Sequence, residues 1–163
     1  MSQASKAWDR IQFARNYTIR LLDSIPVEDW HRVPSAGVSH VAWQAGHLAM
    51  AQFRLCLDRI RGHRADDERI IPATFVALYG RGGIPDPEKS HSRDDLLTVL
   101  EAVHRAVGEE ISTMPDEALA EPTSTPHPHF HTKLGALEWS ANHELIHAGQ
   151  IGLLRQFRQD PMW

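Results

Sequence analysis

Helix breakers divide this chain into four long segments with helical periodicity, and that division limits the folds available to it. Proline pushes the preceding residue out of the helical region, and glycine accepts the backbone conformation found beyond a helix end. The predicted helices run from about Ser5 to Ser24, from Ser39 to Gly62, from Ser92 to just before Pro115, and from about Thr132 to Arg158. Period-two alternation is rare, so strands are not expected. The pattern predicts an all-α four-helix bundle with two long loops.

The two long connections differ in character. Residues 63–91 contain several breakers, and within them PATFVALYG predicts one short helix. The second connection is the proline- and histidine-rich stretch EPTSTPHPHFHT, which is expected to be a loop. A shorter loop containing VPSAG joins the first two helices. Ser39 and Ser92 are expected to cap helix starts, because a serine side chain accepts a hydrogen bond from the first turn.

The composition fits an ordinary globular protein, with 42% hydrophobic and 23% charged residues, and we expect one domain over residues 1–163. A net charge of −4 gives no sign of nucleic-acid binding. The single cysteine, Cys56, cannot form an internal disulfide. No apolar run approaches the roughly 20 residues of a membrane span, and MSQASKAWDR lacks a signal-peptide core. We expect a cytoplasmic protein that binds neither nucleic acid nor membrane.

Histidines are unusually frequent, with 11 in the chain. His143 and His147 lie four residues apart in the last predicted helix and differ in direction by only about 40°. Ala136 and Leu154 share their stripe, which indicates the core-facing side. Two buried imidazoles are costly unless they are hydrogen-bonded or bind a metal, and neutral imidazole is a common ligand for zinc, nickel and iron. The pair therefore favours a metal site over two ordinary core residues.

His47 is the candidate third ligand, because it lies on a separate helix among small residues in WQAGHLAMAQ. A glycine inside a helix costs roughly 1 kcal/mol relative to alanine, so Gly46 indicates close approach of another element. Trp43 and Arg54 lie within about 40° of His47 around the helix and are candidate pocket residues. Cys56 lies about 180° away, so it cannot share the site and is predicted to be a core or interface residue.

The other histidines are secondary candidates. His127, His129 and His131 lie in the second long loop, where they could line a pocket mouth, stay exposed, or close a metal site as a fourth ligand. His40 shares the face of His47 and is the next candidate. The rest are predicted to be surface or packing residues: His31, His63, His91 and His104.

His143-Glu144-x-x-His147 is also the pattern of zinc metalloproteases. Such a zinc needs a third ligand downstream, a histidine or a glutamate. The following stretch, AGQIGLLRQFRQDPMW, contains neither, and its one carboxylate is Asp160 near the chain end. The missing ligand argues against a zinc protease.

These segments resemble the DinB-like superfamily, which includes the YfiT-like metal-dependent hydrolases. GHLA around His47, H-x-x-x-H-A-G-Q from His143 to Gln150, and the four-helix layout carry the resemblance, and LLDSIPVEDWHRVPSAGVSHVAWQAGHLAMAQ is similar to the first two helices of that family. The resemblance implies a three-histidine metal site, here His47, His143 and His147, and a homodimer as a common assembly. It also implies chemistry with low-molecular-weight thiols such as bacillithiol or mycothiol.

A divalent metal on three neutral histidines, zinc or nickel in our prediction, keeps an open position. There it would acidify water for hydrolysis or a thiol for sulfur transfer to an electrophile, and both reactions on a small-molecule substrate remain open. Glu144 lies about 80° from the middle of the histidine pair, so it flanks the site or faces solvent, and it is a candidate general base only if the pocket opens on that side. Gln150 is a candidate hydrogen-bond partner of the ligands, and Arg54 a candidate for binding an anionic substrate group.

The alternative is a non-catalytic protein that binds a metal or a small ligand, or a dimeric stress-response protein. A catalytic site would present an open coordination position to a pocket. A structural site would be closed by a fourth protein ligand.

Overall fold

A computed structural model describes residues 2–35 and 39–156 of the chain. Its long helices are α1 (Gln3–Asp23), α2 (Val41–Phe53), α5 (Arg93–Ser112) and α6 (Lys133–Gln156), and α2 continues through a π-helical segment (Arg54–Asp58) into one last turn, α3 (Arg59–Arg61). The short helix α4 (Ala73–Tyr79) lies in the first long connection, and 3₁₀ turns cover Val27–Asp29, Ala65–Arg69 and Asp116–Ala120. The all-α prediction is confirmed. Residues 36–37 of VPSAG, the expected helix end at Arg158, and Asp160 lie outside the described residues.

The helix caps follow the sequence at one of the two predicted serines. The Ser92 hydroxyl accepts a hydrogen bond from the Asp95 N–H at 3.2 Å, as expected for an N-cap. Ser39 does not cap α2. That position is taken by His40, whose Nδ1 accepts from the Trp43 N–H at 3.3 Å. His40 is completely buried, and its imidazole satisfies one of the N–H groups that the first turn of α2 leaves without a backbone partner.

The bundle pairs its helices across a common core. α1 packs chiefly on α6, and α2 chiefly on α5, while α2 also contacts α4 and α6. The apolar faces meet in the middle, where the largest fully buried side chains include Ile11, Leu22, Leu48, Leu100, Leu137 and Ile151. None of the helices in the described part of the chain is long and apolar enough to span a membrane.

A polar network crosses this core and joins all four long helices. The Arg15 guanidinium of α1 donates to Glu144 of α6 at 2.6 and 3.1 Å, to Gln52 of α2 at 3.0 Å, and to the Leu100 carbonyl of α5 at 3.0 Å. Gln52 also contacts Nδ1 of His104 at 3.2 Å. Burial, and then the charge of Arg15, lower the pKa of His104 to about 4. The prediction that Glu144 flanks the site or faces solvent is wrong in its second part, because Glu144 is only 2% exposed.

The proline- and histidine-rich stretch forms a hairpin where a loop was expected. Strand β1 (Pro122–His127) pairs antiparallel with β2 (Phe130–Thr132) through an irregular register. The Arg59 guanidinium donates to the Thr125 and Pro126 carbonyls at 2.8 and 3.0 Å, and the Phe130 ring is buried. Tertiary contacts therefore hold this hairpin, since its sequence lacks the alternation that marks a strand.

Candidate metal centre

The bundle brings together the three histidines that the sequence singled out. His47 of α2 and the pair His143 and His147 of α6 each place a ring nitrogen within 4.8 Å of the others. Their ring centroids are 4.5 to 5.3 Å apart, and all three side chains are half-buried. Among the described residues this is the one group of three or more histidine, cysteine or acidic side chains close enough to hold a metal.

The ring of His47 is fixed from two sides. Its Nδ1–H donates to the carbonyl of Tyr79, at the end of α4, at 2.8 Å, and the Trp43 ring stacks on it at 4.9 Å between centroids. Gly46 permits this contact, because a Cβ there would lie 2.5 Å from the Tyr79 ring. The expected close approach of another helix at Gly46 is confirmed, but that helix is α4 and not the helix that bears His143 and His147. The helix gives up about 1 kcal/mol so that a backbone carbonyl reaches the imidazole.

The ring of His147 is fixed by a chain of two glutamines. Its Nδ1–H donates to Oε1 of Gln44 at 2.6 Å, and Nε2 of Gln44 donates to Oε1 of Gln150 at 2.9 Å. Gln150, a candidate hydrogen-bond partner near the ligands, contacts Gln44 rather than a histidine. Gln44, which is only 3% exposed, was not among the residues predicted for the site. A long polar side chain within the alanine-rich face of α2 was the signal that could have found it.

These hydrogen bonds prepare the site for a metal. A carbonyl oxygen only accepts, so Nδ1 of His47 and of His147 must carry the proton. Each Nε2 therefore keeps its lone pair, the arrangement usual for metal-binding histidines. Three imidazoles, two of them with tautomers fixed by hydrogen bonds, fit zinc or nickel, both of which take nitrogen ligands.

The three imidazoles are also in the neutral form that a metal ion requires. Burial lowers the pKa of His47, and burial followed by the neighbouring histidines lowers the pKa of His143 to about 4 and that of His147 to about 3. A pKa below the usual 6.5 means that the folded protein resists protonation. All three rings are therefore neutral at pH 7 and available as ligands.

A pocket of about 460 Å³ opens onto the cluster, with His47 and His143 in its wall. His127 and His129 also line it, and His129 stacks on Trp139 at 4.4 Å between centroids. Neither loop histidine belongs to the metal-binding group, and His131 is exposed on β2. Within residues 2–35 and 39–156, therefore, no fourth histidine, cysteine or acidic side chain joins the cluster, and two of its three rings, His47 and His143, line the pocket.

Two other candidates, His40 and Glu144, lie apart from the cluster, as does Cys56. His40 caps α2 and is not a member of the metal-binding group. Glu144 is held by Arg15 in the core. Cys56 is completely buried, and burial raises the pKa of its thiol to about 12, so it remains a protonated core residue, in agreement with the prediction that it cannot share the site.

The hydrogen bond from His147 to Gln44 gives a first testable prediction. Replacing Gln44 by alanine removes the acceptor that orients the His147 ring, and losing such an outer partner typically weakens metal binding by about 10- to 100-fold. The affinity is measured by competition with a chromophoric chelator. Gln12→Ala, an exposed glutamine of α1, is the matched control and should bind metal like the wild type. Equal affinities for the Gln44 variant and this control would contradict the prediction.

The fold and the cluster define a class of protein, the helical bundles with a three-histidine site open to a pocket. The chain belongs to the DinB superfamily, whose family profile matches residues 10–151. A solved structure, the conserved protein of locus from Enterococcus faecalis, superimposes with a TM-score of 0.73, and the match covers 96% of this chain and 97% of that one. At 14% identity this likeness establishes the fold alone. No curated protein matches the sequence significantly.

Proposed function

We propose that this protein is a metal-dependent enzyme that transfers the sulfur of a low-molecular-weight thiol to a small electrophile. One observation carries the proposal: two of the three clustered histidines, His47 and His143, line a pocket with no carboxylate among its described lining residues. Membership of the DinB superfamily supports it, since the resemblance implies thiol chemistry.

Different residues of the chain would bind the metal and orient its ligands. His47, His143 and His147 would hold the ion, while Tyr79 and Gln44 orient two of these rings. A divalent metal supplies the positive charge that lowers the pKa of a bound thiol or water. A water nucleophile also needs a base to take its proton. Glu144, the carboxylate next to His143 in the sequence, is not available for this because it is paired with Arg15. A thiol needs no such base, so the site suits sulfur transfer better than hydrolysis.

The reaction balances without a further reagent. The thiol sulfur forms a bond to the electrophilic carbon, the bond from that carbon to its leaving group breaks, and the thiol proton leaves with that group. Met50, Leu55 and Trp139 line the pocket and give the electrophile apolar surface to bind.

Hydrolysis is the second candidate, and the two loop histidines favour it. His127 and His129 line the same pocket, and a neutral imidazole there could accept a proton from water. His127 suits this role, because burial first, and then the charge of Arg59, lower its pKa and keep the ring neutral at pH 7.

The two reactions are separated by turnover measurements on zinc-loaded and nickel-loaded protein. A panel of alkyl and aryl halides, epoxides and esters is incubated with and without bacillithiol, mycothiol or glutathione, and products are identified by mass spectrometry. We expect thioether products that require both metal and thiol. Turnover with water alone, inhibited by added thiol, would establish the hydrolase instead. A metal-loaded protein that binds thiol but converts no electrophile would support the non-catalytic alternative.

We also propose that the protein is a homodimer built on an apolar patch formed by α1 and α6. Five large apolar side chains on these helices are between 38% and 62% exposed: Phe13, Tyr17, Leu145, Ile146 and Leu153. Gly149 and Gly152 lie within this patch, and a Cβ at either would meet nothing within 4 Å in the monomer. Each glycine costs α6 about 1 kcal/mol without a packing reason in one chain, and close approach of a second copy supplies that reason.

The dimer is tested by light scattering coupled to size-exclusion chromatography. Leu145→Glu places a charge at the centre of the patch formed by α1 and α6 and is expected to give a monomer, because an unpaired charge in an interface costs several kcal/mol. Ile84→Glu is the control, since Ile84 is 80% exposed outside the patch. A wild type that is monomeric at high micromolar concentration would refute the proposal.

A further inference from the structure

The pocket beside the histidine cluster is strongly positive in an acidic protein. Arg54, Arg59 and Arg81 all line it, and no aspartate or glutamate appears among its described lining residues. The chain as a whole carries a formal charge of −4. Three arginines without a carboxylate therefore form a local field opposite in sign to the whole protein, and a divalent metal in the cluster would add to it.

Two of these three arginines make no hydrogen bond or ion pair with the described part of the protein. Arg59 holds the hairpin, since its guanidinium donates to the carbonyls of Thr125 and Pro126. Arg54 and Arg81 are exposed, and within the described part of the chain neither forms a hydrogen bond or an ion pair. Arg61, in contrast, pairs with Asp67 and Glu110. In the described part of the chain, Arg20, Arg69 and Arg105 also lack such partners, but only Arg54 and Arg81 of these five line the pocket.

Arg54 lies apart from the histidines along the helix axis. Arg54 follows His47 by seven residues, which is about 10 Å along the helix axis. The two residues face the same pocket because seven residues make almost two complete turns. A guanidinium at that distance does not contact the atom of a small molecule that lies at the histidines. It is placed to contact the opposite end of the same molecule.

We propose that the molecule occupying the open side of the cluster carries an oxyanion, a carboxylate or a phosphate, at its other end, and that Arg54 and Arg81 bind it. Arginine suits this role because its planar donors pair with an oxyanion in a bidentate manner. The inference rests on the proposed function, since it takes the metal-binding end to be a thiol. It excludes cationic thiols as substrates.

The test uses cobalt-loaded protein and three short thiols that differ mainly in charge: 3-mercaptopropionate, 3-mercapto-1-propanol and cysteamine. Sulfur-to-cobalt charge-transfer absorption reports binding without any turnover. We expect the carboxylate thiol to bind about 10- to 100-fold more tightly than the neutral one, as charged hydrogen bonds of ordinary strength would give, and cysteamine to bind most weakly. Adding salt should reduce the preference.

Arg54→Met and Arg81→Met should each reduce this preference, and the double variant should abolish it while 3-mercapto-1-propanol still binds. Arg105→Met is the matched control, because Arg105 is an exposed arginine of α5 outside the pocket. Inorganic phosphate is added as a competitor, and displacement of 3-mercaptopropionate below equimolar concentration would identify phosphate as the better oxyanion.

The outcomes distinguish this inference from the proposed function. Equal affinities for the three thiols, unchanged in the arginine variants, would overturn the oxyanion site and leave the metal–thiol proposal intact. If no thiol produces the absorption, the proposed function fails, and the oxyanion site is then judged by isothermal titration with inorganic phosphate. Equal heats for the wild type and the double variant would overturn it there as well.

Discussion

A His147→Ala variant is expected to be purified almost free of metal, whereas the wild type carries one divalent ion per chain. The substitution removes one of three ligands and leaves Gln44 without the ring that it orients. Losing a ligand should weaken binding by more than about 100-fold, since loss of an outer partner alone costs up to that amount. Metal content is measured by inductively coupled plasma mass spectrometry after expression with zinc or nickel.

His131→Ala is the matched control, because His131 is exposed on β2 and lies outside the cluster. It should retain the metal content of the wild type. Circular dichroism shows whether the His147 variant keeps its helices, so that metal loss is not confused with unfolding. The same metal content in His147→Ala as in the wild type would contradict the proposal that the three histidines bind the metal.

Glu144→Gln is expected to lower the free energy of unfolding by about 3–5 kcal/mol, because it leaves the Arg15 charge buried without its counter-charge. The side chains of this pair are only 4% and 3% exposed, and the Arg15 Nε to Glu144 Oε1 distance is 2.6 Å. Urea unfolding measures the change. Glu138→Gln is the control on the same helix, since its pair with Arg10 is exposed and should be worth less than about 1 kcal/mol.

Two further measurements decide the role of Glu144. The double variant Arg15→Met/Glu144→Leu should recover much of the lost stability, because replacing both charges of a buried pair by apolar groups is often neutral. The folded Glu144→Gln protein should contain as much metal as the wild type. Loss of metal in that folded variant would place Glu144 in the site and contradict the core assignment.

The features that sequence predicted well are those fixed by local rules. Breakers marked the long helices, and the spacing of His143 and His147 placed both rings on one side of α6. His47 was found because small neighbours allow another element to approach, and Gly46 shows that approach directly. Helical geometry carries such information over one or two turns, without knowledge of the tertiary structure.

What sequence missed depends on contacts between distant segments. The hairpin forms because Arg59, more than 60 residues away, binds its carbonyls. Gln44 meets His147 across the bundle, 103 positions along the chain. The solvent-facing alternative for Glu144 is wrong, because a helical angle does not reveal that Arg15 lies on the neighbouring helix and pairs with it. Pairing of buried polar groups is decided by the assembled core, so a single-segment pattern does not predict it.

Tyr79 links the candidate metal centre to the long connection between α3 and α5. Its carbonyl accepts from His47, its hydroxyl accepts from the His91 N–H at 2.9 Å, and the His91 carbonyl contacts Nε2 of His31 at 3.0 Å. For a metal bound at this cluster, as proposed, metal affinity and the ordering of residues 63–91 would therefore depend on each other. The free energy by which docking of the connection would strengthen metal binding equals the free energy by which metal binding would stabilise the docked connection. Any molecule that loosens Tyr79 would act on metal release without touching a single ligand.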